Sequence, residues 1–310
     1  MSRRHSFRVP ASTSNLGAGF DALSLALQRY LRVTVDLPSP NPLPGGEGSI
    51  EIVAGGVDAA SIPATRDNLI VRVAERVAKG RGKQLPPFRM TIENEIPLAR
   101  GMGSSAAAII AGVTCYELAA EDKLSEREIF EYAVEFESHP DNLAAAFRGG
   151  LVATAMADDG EVLIAKLSVA EGVRTVVVIP AFELSTEKAR GVLPPSYSRK
   201  DAVYNIQRSA LTIAALTTGN WSQLREAMKD RIHQPYRAKL IPGFEEAMAL
   251  SAPGLLGIAL SGAGPTILAL AKPQDAENVG NAIVRVFEKH GVKASPLVVN
   301  IDTEGRVIET

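Results

Sequence analysis

Residues 96–108 read IPLARGMGSSAAA, a run in which two glycines and two serines stand directly before an alanine-rich segment. Gly101 and Gly103 free the backbone, and the small residues that follow predict a helix that begins at Ser104 and Ser105. The unpaired N–H groups and the dipole at such a helix start attract anions. Serines that only cap a helix would explain the hydroxyls alone. The glycines, the serines and the preceding proline-bounded strand together favour a phosphate site.

Two other nucleotide-binding motifs fit this segment poorly. A Walker loop carries Lys and then Ser or Thr after its glycines, whereas Gly82 and Lys83 precede Gln84 and lack the upstream glycine. The segment does match G-x-G-x-x-A, the loose dinucleotide fingerprint. In that fold the glycines follow a strand directly and an acidic residue ends a second strand. Residues 97–100 intervene here and Glu121 ends a helical stretch, so an NAD-dependent dehydrogenase is a weak alternative.

Two further glycine clusters lie near the ends of the chain. Residues 9–27 read VPASTSNLGAGFDALSLAL, and residues 260–270 read LSGAGPTILAL, with Gly262 and Gly264 between two apolar runs. Each cluster alone is typical of a structural turn. Taken together, three small-residue loops from both halves of the chain indicate a single shared site.

The bulk composition indicates a globular protein and excludes some partners. The chain has 310 residues, enough for one large or two medium domains. Its 33 lysines and arginines are balanced by 35 aspartates and glutamates, so nucleic acid is not expected as a partner. The longest apolar run, residues 106–120, is too short for a membrane span and contains Glu117. The single Cys115 cannot form an internal disulfide and no signal peptide is evident, so we expect a cytoplasmic protein.

The hydrophobic patterns predict alternating strands and helices in two halves. Strands are predicted at residues 7–11, 30–37, 50–53, 88–93, 152–156, 162–167, 175–179, 256–260, 265–270 and 294–299. Helices are predicted at residues 67–78, 104–118, 125–137, 200–216, 221–229 and 275–290, and a Pro/Gly-rich loop at residues 39–48. The β-α-β-β-α-β order of the second half predicts a ferredoxin-like domain. We therefore predict two domains, residues 1–168 and 169–310.

Three motifs of this chain resemble those of the GHMP kinases, a superfamily that includes galacto-, homoserine and mevalonate kinases. They are PAS-T-SNLGAGFD near residue 15, P-L-A-R-GMGSSAAA near residue 103 and SGAGPT near residue 263. Within the superfamily the first motif is most similar to the homoserine kinases. Residues 137–142, ESHPDN, are similar to the EGHPDN of that family, with Ser138 in place of glycine. The resemblance covers most of the chain.

The resemblance implies a fold, a reaction and its partners. The fold is α+β, with an N-terminal domain like the second domain of ribosomal protein S5, a ferredoxin-like C-terminal domain and ATP between them. The reaction transfers a phosphate from ATP, with Mg²⁺, to the hydroxyl of L-homoserine in threonine biosynthesis. A cytoplasmic homodimer without nucleic-acid or membrane partners is expected. Another GHMP kinase, acting on mevalonate, shikimate or a sugar, is the nearest alternative, and a non-catalytic ATP sensor is a further one.

The resemblance also implies where ATP and the metal bind. Ser105 would contact Mg²⁺ through its hydroxyl, together with one of the glutamates at positions 131, 135 and 137, of which Glu135 is favoured by similarity. Asn68 would meet the adenine, although capping of a helix explains it equally well. The expected nucleotide contacts are Asn68, Pro97, Arg100, Gly101, Met102, Gly103, Ser104, Ser105 and Ala106.

A homoserine site needs both signs of charge because the substrate is a zwitterion. A carboxylate suits its ammonium, and guanidinium groups suit its carboxylate. Asp21 is a charge within an apolar, glycine-rich segment, so it needs a partner that the substrate's ammonium or hydroxyl could supply. By resemblance, Arg190 and Arg237 clamp the carboxylate. The expected substrate contacts are Asn15, Asp21, His139, Arg190, Arg237 and Gly262.

The resemblance leaves the general base open. Asn142 occupies the neighbourhood in which mevalonate-type relatives carry an aspartate, and an amide cannot act as a base at neutral pH. Thr186 is expected to reach the phosphate or the substrate hydroxyl. We therefore predict catalysis by positioning and electrostatic stabilisation, with Asn142, Asp141 and Thr186 at the reacting groups.

Overall fold

The computed structural model describes residues 3–37 and 50–309, which form two β-sheets with helices packed on them. The predicted loop at residues 39–48 lies outside these residues. The strands are β1 (Arg3–Asn15), β2 (Gly19–Leu37), β3 (Ile50–Gly56), β4 (Phe88–Asn94), β5 (Leu151–Met156), β6 (Val162–Leu167), β7 (Arg174–Pro180), β8 (Leu255–Leu260), β9 (Ile267–Ala271), β10 (Ala294–Val299) and β11 (Val307–Glu309). The α-helices are α1 (Leu69–Gly80), α2 (Ser104–Ala120), α3 (Glu126–Ala133), α4 (Pro140–Arg148), α5 (Thr186–Gly191), α6 (Arg199–Thr218), α7 (Leu224–Ala227), α8 (Gln234–Arg237), α9 (Phe244–Ala249) and α10 (Ala276–Lys289). No helix in this part of the chain is long and apolar enough to cross a membrane.

The first sheet is built around β2, a strand of 19 residues. β1 pairs with it in antiparallel fashion, and a tight turn at residues 16–18 joins the two strands. The C-terminal half of β2 pairs with β4, and its N-terminal half pairs with β5. α2 and α4 pack on this sheet, and α1 packs on α2. α2 is apolar on nearly all sides because it is buried between the sheet and α1, as its alanine-rich sequence predicted.

The second sheet has the strand order β10-β7-β9-β8, with every pair antiparallel. Counted within this half of the chain, that is the order 4-1-3-2 of a ferredoxin-like fold, so the prediction from the β-α-β-β-α-β pattern is confirmed. α10 covers one face of the sheet and buries Val279, Ile283 and Phe287, which recur at helical spacing.

The end of the chain returns to the first sheet. β11 pairs with β1 so that Val307 lies opposite Arg8, and Ile301 bridges to Leu27. The buried Asp302 accepts a hydrogen bond of 2.9 Å from the Tyr30 hydroxyl. The predicted domain boundary between residues 168 and 169 falls between β6 and β7, which lie in different sheets. The predicted C-terminal domain does not account for β11, which belongs to the first sheet.

Three of the predicted segments have a different secondary structure, and α5, α8, α9 and β11 were not predicted. The small-residue loop predicted near residue 15 is only a turn at residues 16–18, and the predicted strand at residues 7–11 is part of the longer β1. The helix predicted at residues 125–137 ends at Ala133, and a separate helix, α4, begins at Pro140, a residue suited to the first helical position. The helix predicted at residues 221–229 is a 3₁₀ turn followed by the short α7.

Candidate active site

The three glycine clusters of the sequence meet at one place. The N–H of Ser12 donates to the carbonyl of Met102, which joins β1 to the loop before α2. The hydroxyl of Ser261 donates to the carbonyl of Gly101 at 2.6 Å, and the N–H of Gly262 donates to the carbonyl of Ser14 at 3.1 Å. The loop between β8 and β9 therefore touches both of the other clusters. This confirms their predicted convergence from the two halves of the chain.

The loop before α2, residues 95–103, is called the central loop below. Two of its positions require glycine because of their backbone conformation and their close neighbours. Gly101 and Gly103 have φ values of +77° and +69°, in the left-handed region. A Cβ at Gly101 would lie 2.3 Å from the backbone oxygen of Ser261, and a Cβ at Gly103 would lie 2.0 Å from the hydroxyl of Ser12. The close approach of the loops thus depends on the absence of these side chains.

An apolar cavity of about 240 Å³ lies beside the start of α2. Leu31 and Ile92 line it together with Asn68, Ser104 and Ser105. The oxygen of the Asn68 side chain accepts a hydrogen bond from the N–H of Ile70, and its nitrogen donates to the carbonyl of Pro63. Asn68 therefore caps α1 and lines the cavity as well.

A second cavity, of about 330 Å³, lies in front of the α2 N-terminus. Thr186 and Asn142 line it together with residues of the loop and of the start of α2, which are Gly101, Gly103, Ser104, Ser105 and Ala106. The glutamate in its wall is Glu137. By contrast, Glu135 makes two hydrogen bonds of 2.7 Å to Arg76, away from the cavity, and Glu131 pairs with Arg127 at 3.0 Å.

A third cavity adjoins the second and concentrates charged groups. Asp21 and Arg190 form a two-fold hydrogen-bonded ion pair with distances of 2.7 and 3.1 Å. His139 lies 3.9 Å from Asp21 and contacts Glu137 at 2.6 Å. The fully buried Arg237 lines the same cavity. The partner of Asp21 in this structure is thus Arg190, rather than the substrate group expected from the sequence.

Two further groups of the ESHPDN segment are fixed by their surroundings. The oxygen of the Asn142 side chain accepts a hydrogen bond from Ser12 at 2.8 Å, and its nitrogen donates to Ser14 at 2.9 Å. Asp141 is 2% exposed and accepts a 2.7 Å hydrogen bond from the N–H of Asn142. Burial raises the pKa of Asp141 to about 7, and the negative charge of Asp21 adds to this effect.

The chain is similar to known proteins over nearly its whole length. The family model described as the GHMP kinases N terminal domain matches residues 68–150, and that of the GHMP kinases C terminal matches residues 212–289. The homoserine kinase of Solibacter usitatus is 43% identical over 96% of this chain and 95% of its own length. That of Aquifex aeolicus is 41% identical over 96% of this chain and 97% of its own length. The chain belongs to the homoserine kinase family of GHMP kinases.

Solved structures of the family share the fold over its full extent. A homoserine kinase from Cytophaga hutchinsonii superposes with a TM-score of 0.83 at 25% identity, covering 99% of this chain and 97% of that one. A putative homoserine kinase from Listeria monocytogenes gives a TM-score of 0.73 at 31% identity, with 99% of each chain covered. As a GHMP kinase, the chain is an enzyme that uses ATP for phosphoryl transfer.

Most residues expected from the homoserine kinase resemblance line the three cavities. In the third cavity lie Asn15, Asp21, His139, Asp141, Asn142, Thr186, Arg190, Arg237 and Gly262. Around the first two lie Asn68, Gly101, Gly103, Ser104, Ser105 and Ala106. Outside the cavity walls lie Pro97, Arg100, Met102 and Glu135. Among these, Arg100 pairs with Asp58 at 2.8 Å and Met102 is buried beneath the loop.

The sequence interpretation missed the hydroxyls that hold Asn142. Ser12 and Ser14 are two residues apart in β1, so both point to the same face of the sheet. Their position within the PAS-T-SN motif was the available signal, but a strand had not been predicted beyond residue 11. Glu137, which the resemblance gives only as an alternative to Glu135, is the glutamate that lines the second cavity.

Proposed function

We propose that the chain phosphorylates the hydroxyl of L-homoserine with ATP to give O-phospho-L-homoserine, a step of threonine biosynthesis. The observation that carries the proposal is the third cavity, which presents carboxylates and guanidinium groups within one small space. A zwitterionic amino acid is the class of alcohol that matches both. Mevalonate, shikimate and galactose carry no ammonium group for Asp21 and Asp141.

The two ends of homoserine meet opposite charges in this arrangement. Asp21 and Asp141 face the ammonium, and Arg190 and Arg237 face the carboxylate. Burial lowers the pKa of Arg237 to about 10, with a further contribution from the nearby charge of Arg190. Arg237 therefore keeps its positive charge at neutral pH.

The phosphates of ATP belong in front of α2. The helix N-terminus presents unpaired N–H groups at Ser104 and Ser105, and the glycines allow the backbone to approach a phosphate closely. The adjoining apolar cavity suits the adenine, with Asn68 at its wall. Thr186, at the start of α5, lines both the second and the third cavity and so reaches the junction of phosphate and substrate.

The residues of the second cavity fit Mg²⁺. Ser105 and Thr186 offer hydroxyl oxygens and Glu137 offers a carboxylate, and Mg²⁺ in kinases is held by one or two such ligands together with phosphate oxygens. We propose Glu137 as the metal carboxylate in place of Glu135, whose carboxylate is engaged by Arg76. When bound, Mg²⁺ neutralises charge on the phosphates.

Proton removal from the hydroxyl is proposed to need no general base. Asn142 is locked by Ser12 and Ser14, so it positions the reacting groups without taking up a proton. Asp141 is the carboxyl that would offer a base if one were used, because its pKa of about 7 suits that role. A kcat that falls below pH 7 in the parent enzyme, and that is lost in Asp141→Asn with substrate still bound, would contradict the proposal.

The predicted homodimer and cytoplasmic location are retained as proposals from the family resemblance. Analytical ultracentrifugation tests the first, and localisation of a tagged full-length chain tests the second. The reaction itself is tested by ³¹P NMR of a mixture of the enzyme, MgATP and L-homoserine. A new phosphate monoester coupled to the protons on the carbon that carries the hydroxyl is expected. Formation of ADP and inorganic phosphate without such an ester would refute the reaction.

A further inference from the structure

His233 is a fully buried histidine that precedes α8 and touches the first of the three loops of the site and Arg237. Its Nε2 lies 2.8 Å from the carbonyl oxygen of Gly17, in the turn between β1 and β2. Its Nδ1 lies 3.1 Å from Nη1 of Arg237. A carbonyl only accepts and a guanidinium only donates, so the imidazole carries its proton on Nε2 and accepts at Nδ1.

The same contact fixes the orientation of Arg237. Nη1 of Arg237 also donates to the carbonyl of Gly262 at 3.1 Å, and its Nε donates to the carbonyl of Ala189 at 3.1 Å. Within residues 3–37 and 50–309, Nη2 of Arg237 has no hydrogen-bond partner. His233 thus occupies one side of the guanidinium and leaves the other side available to an anion in the third cavity.

Phe20 completes the arrangement around both groups. Its ring stacks on the His233 ring with centroids 5.0 Å apart and an angle of 20°. The guanidinium carbons of Arg237 and Arg190 each lie 5.4 Å from the Phe20 centroid. The ring therefore packs against the histidine and against the two arginines, next to Asp21 in the chain.

We propose that His233 is a positioning residue for substrate selection, which as the neutral Nε2–H tautomer ties the turn after β1 to Arg237 and aims Nη2 of Arg237 at the substrate carboxylate. This role rests on the proposed function, because it requires an amino acid in the third cavity. Burial lowers the pKa of His233 and the charge of Arg237 adds to the lowering, while the charge of Asp230, 3.7 Å from Nε2, acts in the opposite direction. The net lowering is consistent with a neutral ring.

Two substitutions separate the two hydrogen bonds of the ring. His233→Asn keeps an acceptor at the position of Nδ1 and loses the contact to Gly17. His233→Gln keeps a donor near the position of Nε2 and loses the acceptor for Arg237. For each variant, kcat/KM is measured with L-homoserine and with 3-aminopropan-1-ol, which is homoserine without its carboxylate. The ratio used below is kcat/KM for L-homoserine divided by kcat/KM for 3-aminopropan-1-ol. This ratio is independent of the fraction of protein that folds.

The expected result is a loss of carboxylate preference in one variant. In His233→Gln the ratio falls about tenfold through a higher KM for homoserine, as expected for one hydrogen bond to a charged group, while kcat with homoserine stays within about twofold. In His233→Asn the ratio stays within about threefold of the parent enzyme. Equal changes in both variants, or an unchanged ratio in His233→Gln, would overturn the proposal.

A third variant keeps the test decisive if both histidine variants fail to fold. Phe20 is half-buried, so Phe20→Leu leaves the fold in place while it removes the stacking on His233 and the contact to Arg237. The ratio is expected to fall about threefold, and an unchanged ratio would overturn the proposal. Failure of the proposed function is distinguishable, because the parent enzyme itself would then show no turnover of L-homoserine.

Discussion

The ionised form of Asp141 is unfavourable in the folded protein, because this side chain is buried and lies near the carboxylate of Asp21. The unfolded pKa of Asp141 is about 4 and its folded pKa is about 7. As pH rises from about 4 to 7, the unfolded chain loses this proton before the folded protein does. The free energy of unfolding therefore falls across this window, by up to about 4 kcal/mol, and levels off above it.

Asp141→Asn removes this pH dependence. The amide keeps an acceptor for the N–H of Asn142 and has no proton to lose. Without substrate, we expect the variant to melt several degrees above the parent enzyme at pH 8 and to differ much less at pH 5. Thermal unfolding followed by circular dichroism measures both. The same difference at the two pH values would show that Asp141 is already charged at pH 5.

Glu137 and Glu135 provide a matched pair for the metal. We expect Glu137→Gln to raise the Mg²⁺ concentration for half-maximal activity by at least about tenfold, a factor typical of groups that support a metal. Glu135→Gln should change it by less than about twofold, since Glu135 pairs with Arg76 on the surface. Both are assayed at saturating L-homoserine, because Glu137 also contacts His139. The reverse order of effects would restore Glu135 as the ligand.

The charged residues that line the third cavity were easier to predict from the sequence than the glutamate that lines the second cavity. Asp21 stood out as a charge in an apolar segment, and the two arginines followed from the family resemblance. The family resemblance favoured Glu135 among the glutamates, and the helix that carries them was predicted to continue to residue 137. Because that helix ends at Ala133, the chain turns and Glu137, not Glu135, lines the cavity.

At the scale of elements, the contact between the central loop and the loop after β8 depends on Gly101. An added Cβ would meet the backbone oxygen of Ser261, which cannot move as a flexible side chain would. We expect Gly101→Ala to lower kcat/KM for ATP by at least about tenfold, because the left-handed conformation is strained and the loops must separate. Steady-state kinetics with ATP as the varied substrate measures this effect.

Gly82→Ala is the matched control for that substitution. Gly82 has a φ of +66°, close to that of Gly101, but a Cβ there would meet nothing within 4 Å. The control should lose only about 1 kcal/mol of stability from backbone strain, with unchanged kinetics. Equal kinetic effects of the two substitutions would show that the loop contact is not required for ATP use.

The predicted elements were most accurate where one face of a strand or helix is exposed. Residues 31–37 alternate between buried and half-buried side chains, and α10 has one apolar face, so their periodicity was visible. Residues 9–15 are all buried and mostly small, so their strand gave no alternation. Their glycine-rich turn therefore dominated the interpretation of that segment.

At the scale of the whole molecule, the C-terminal segment links the two halves of the chain. Asp302 accepts hydrogen bonds from the N–H groups of Glu304 and Gly305 and from the Tyr30 hydroxyl. We expect Asp302→Ala to lower the free energy of unfolding by about 2–4 kcal/mol, because it leaves buried donors unpaired. Glu304→Ala, at an exposed ion pair with Arg8, should change it by less than about 1 kcal/mol. Denaturant unfolding compares them, and equal losses would refute the role of Asp302.

The pairing of β11 with β1 could not be predicted from the sequence. β11 has only three residues, and its pairing joins positions about 300 residues apart, such as Phe7 and Ile308. Local patterns carry no signal for such a contact. The ferredoxin-like half was predictable because its strand order follows from the order of its elements along the chain.

The site built by both halves of the chain is proposed to accept homoserine as its alcohol. The most direct test measures ADP release by the purified protein with MgATP and, at equal concentrations, L-homoserine, mevalonate, shikimate or galactose. We expect turnover with L-homoserine and only background release of ADP with the other three. Turnover of another alcohol in preference to homoserine, or of none of them by protein that binds ATP, would contradict the proposal.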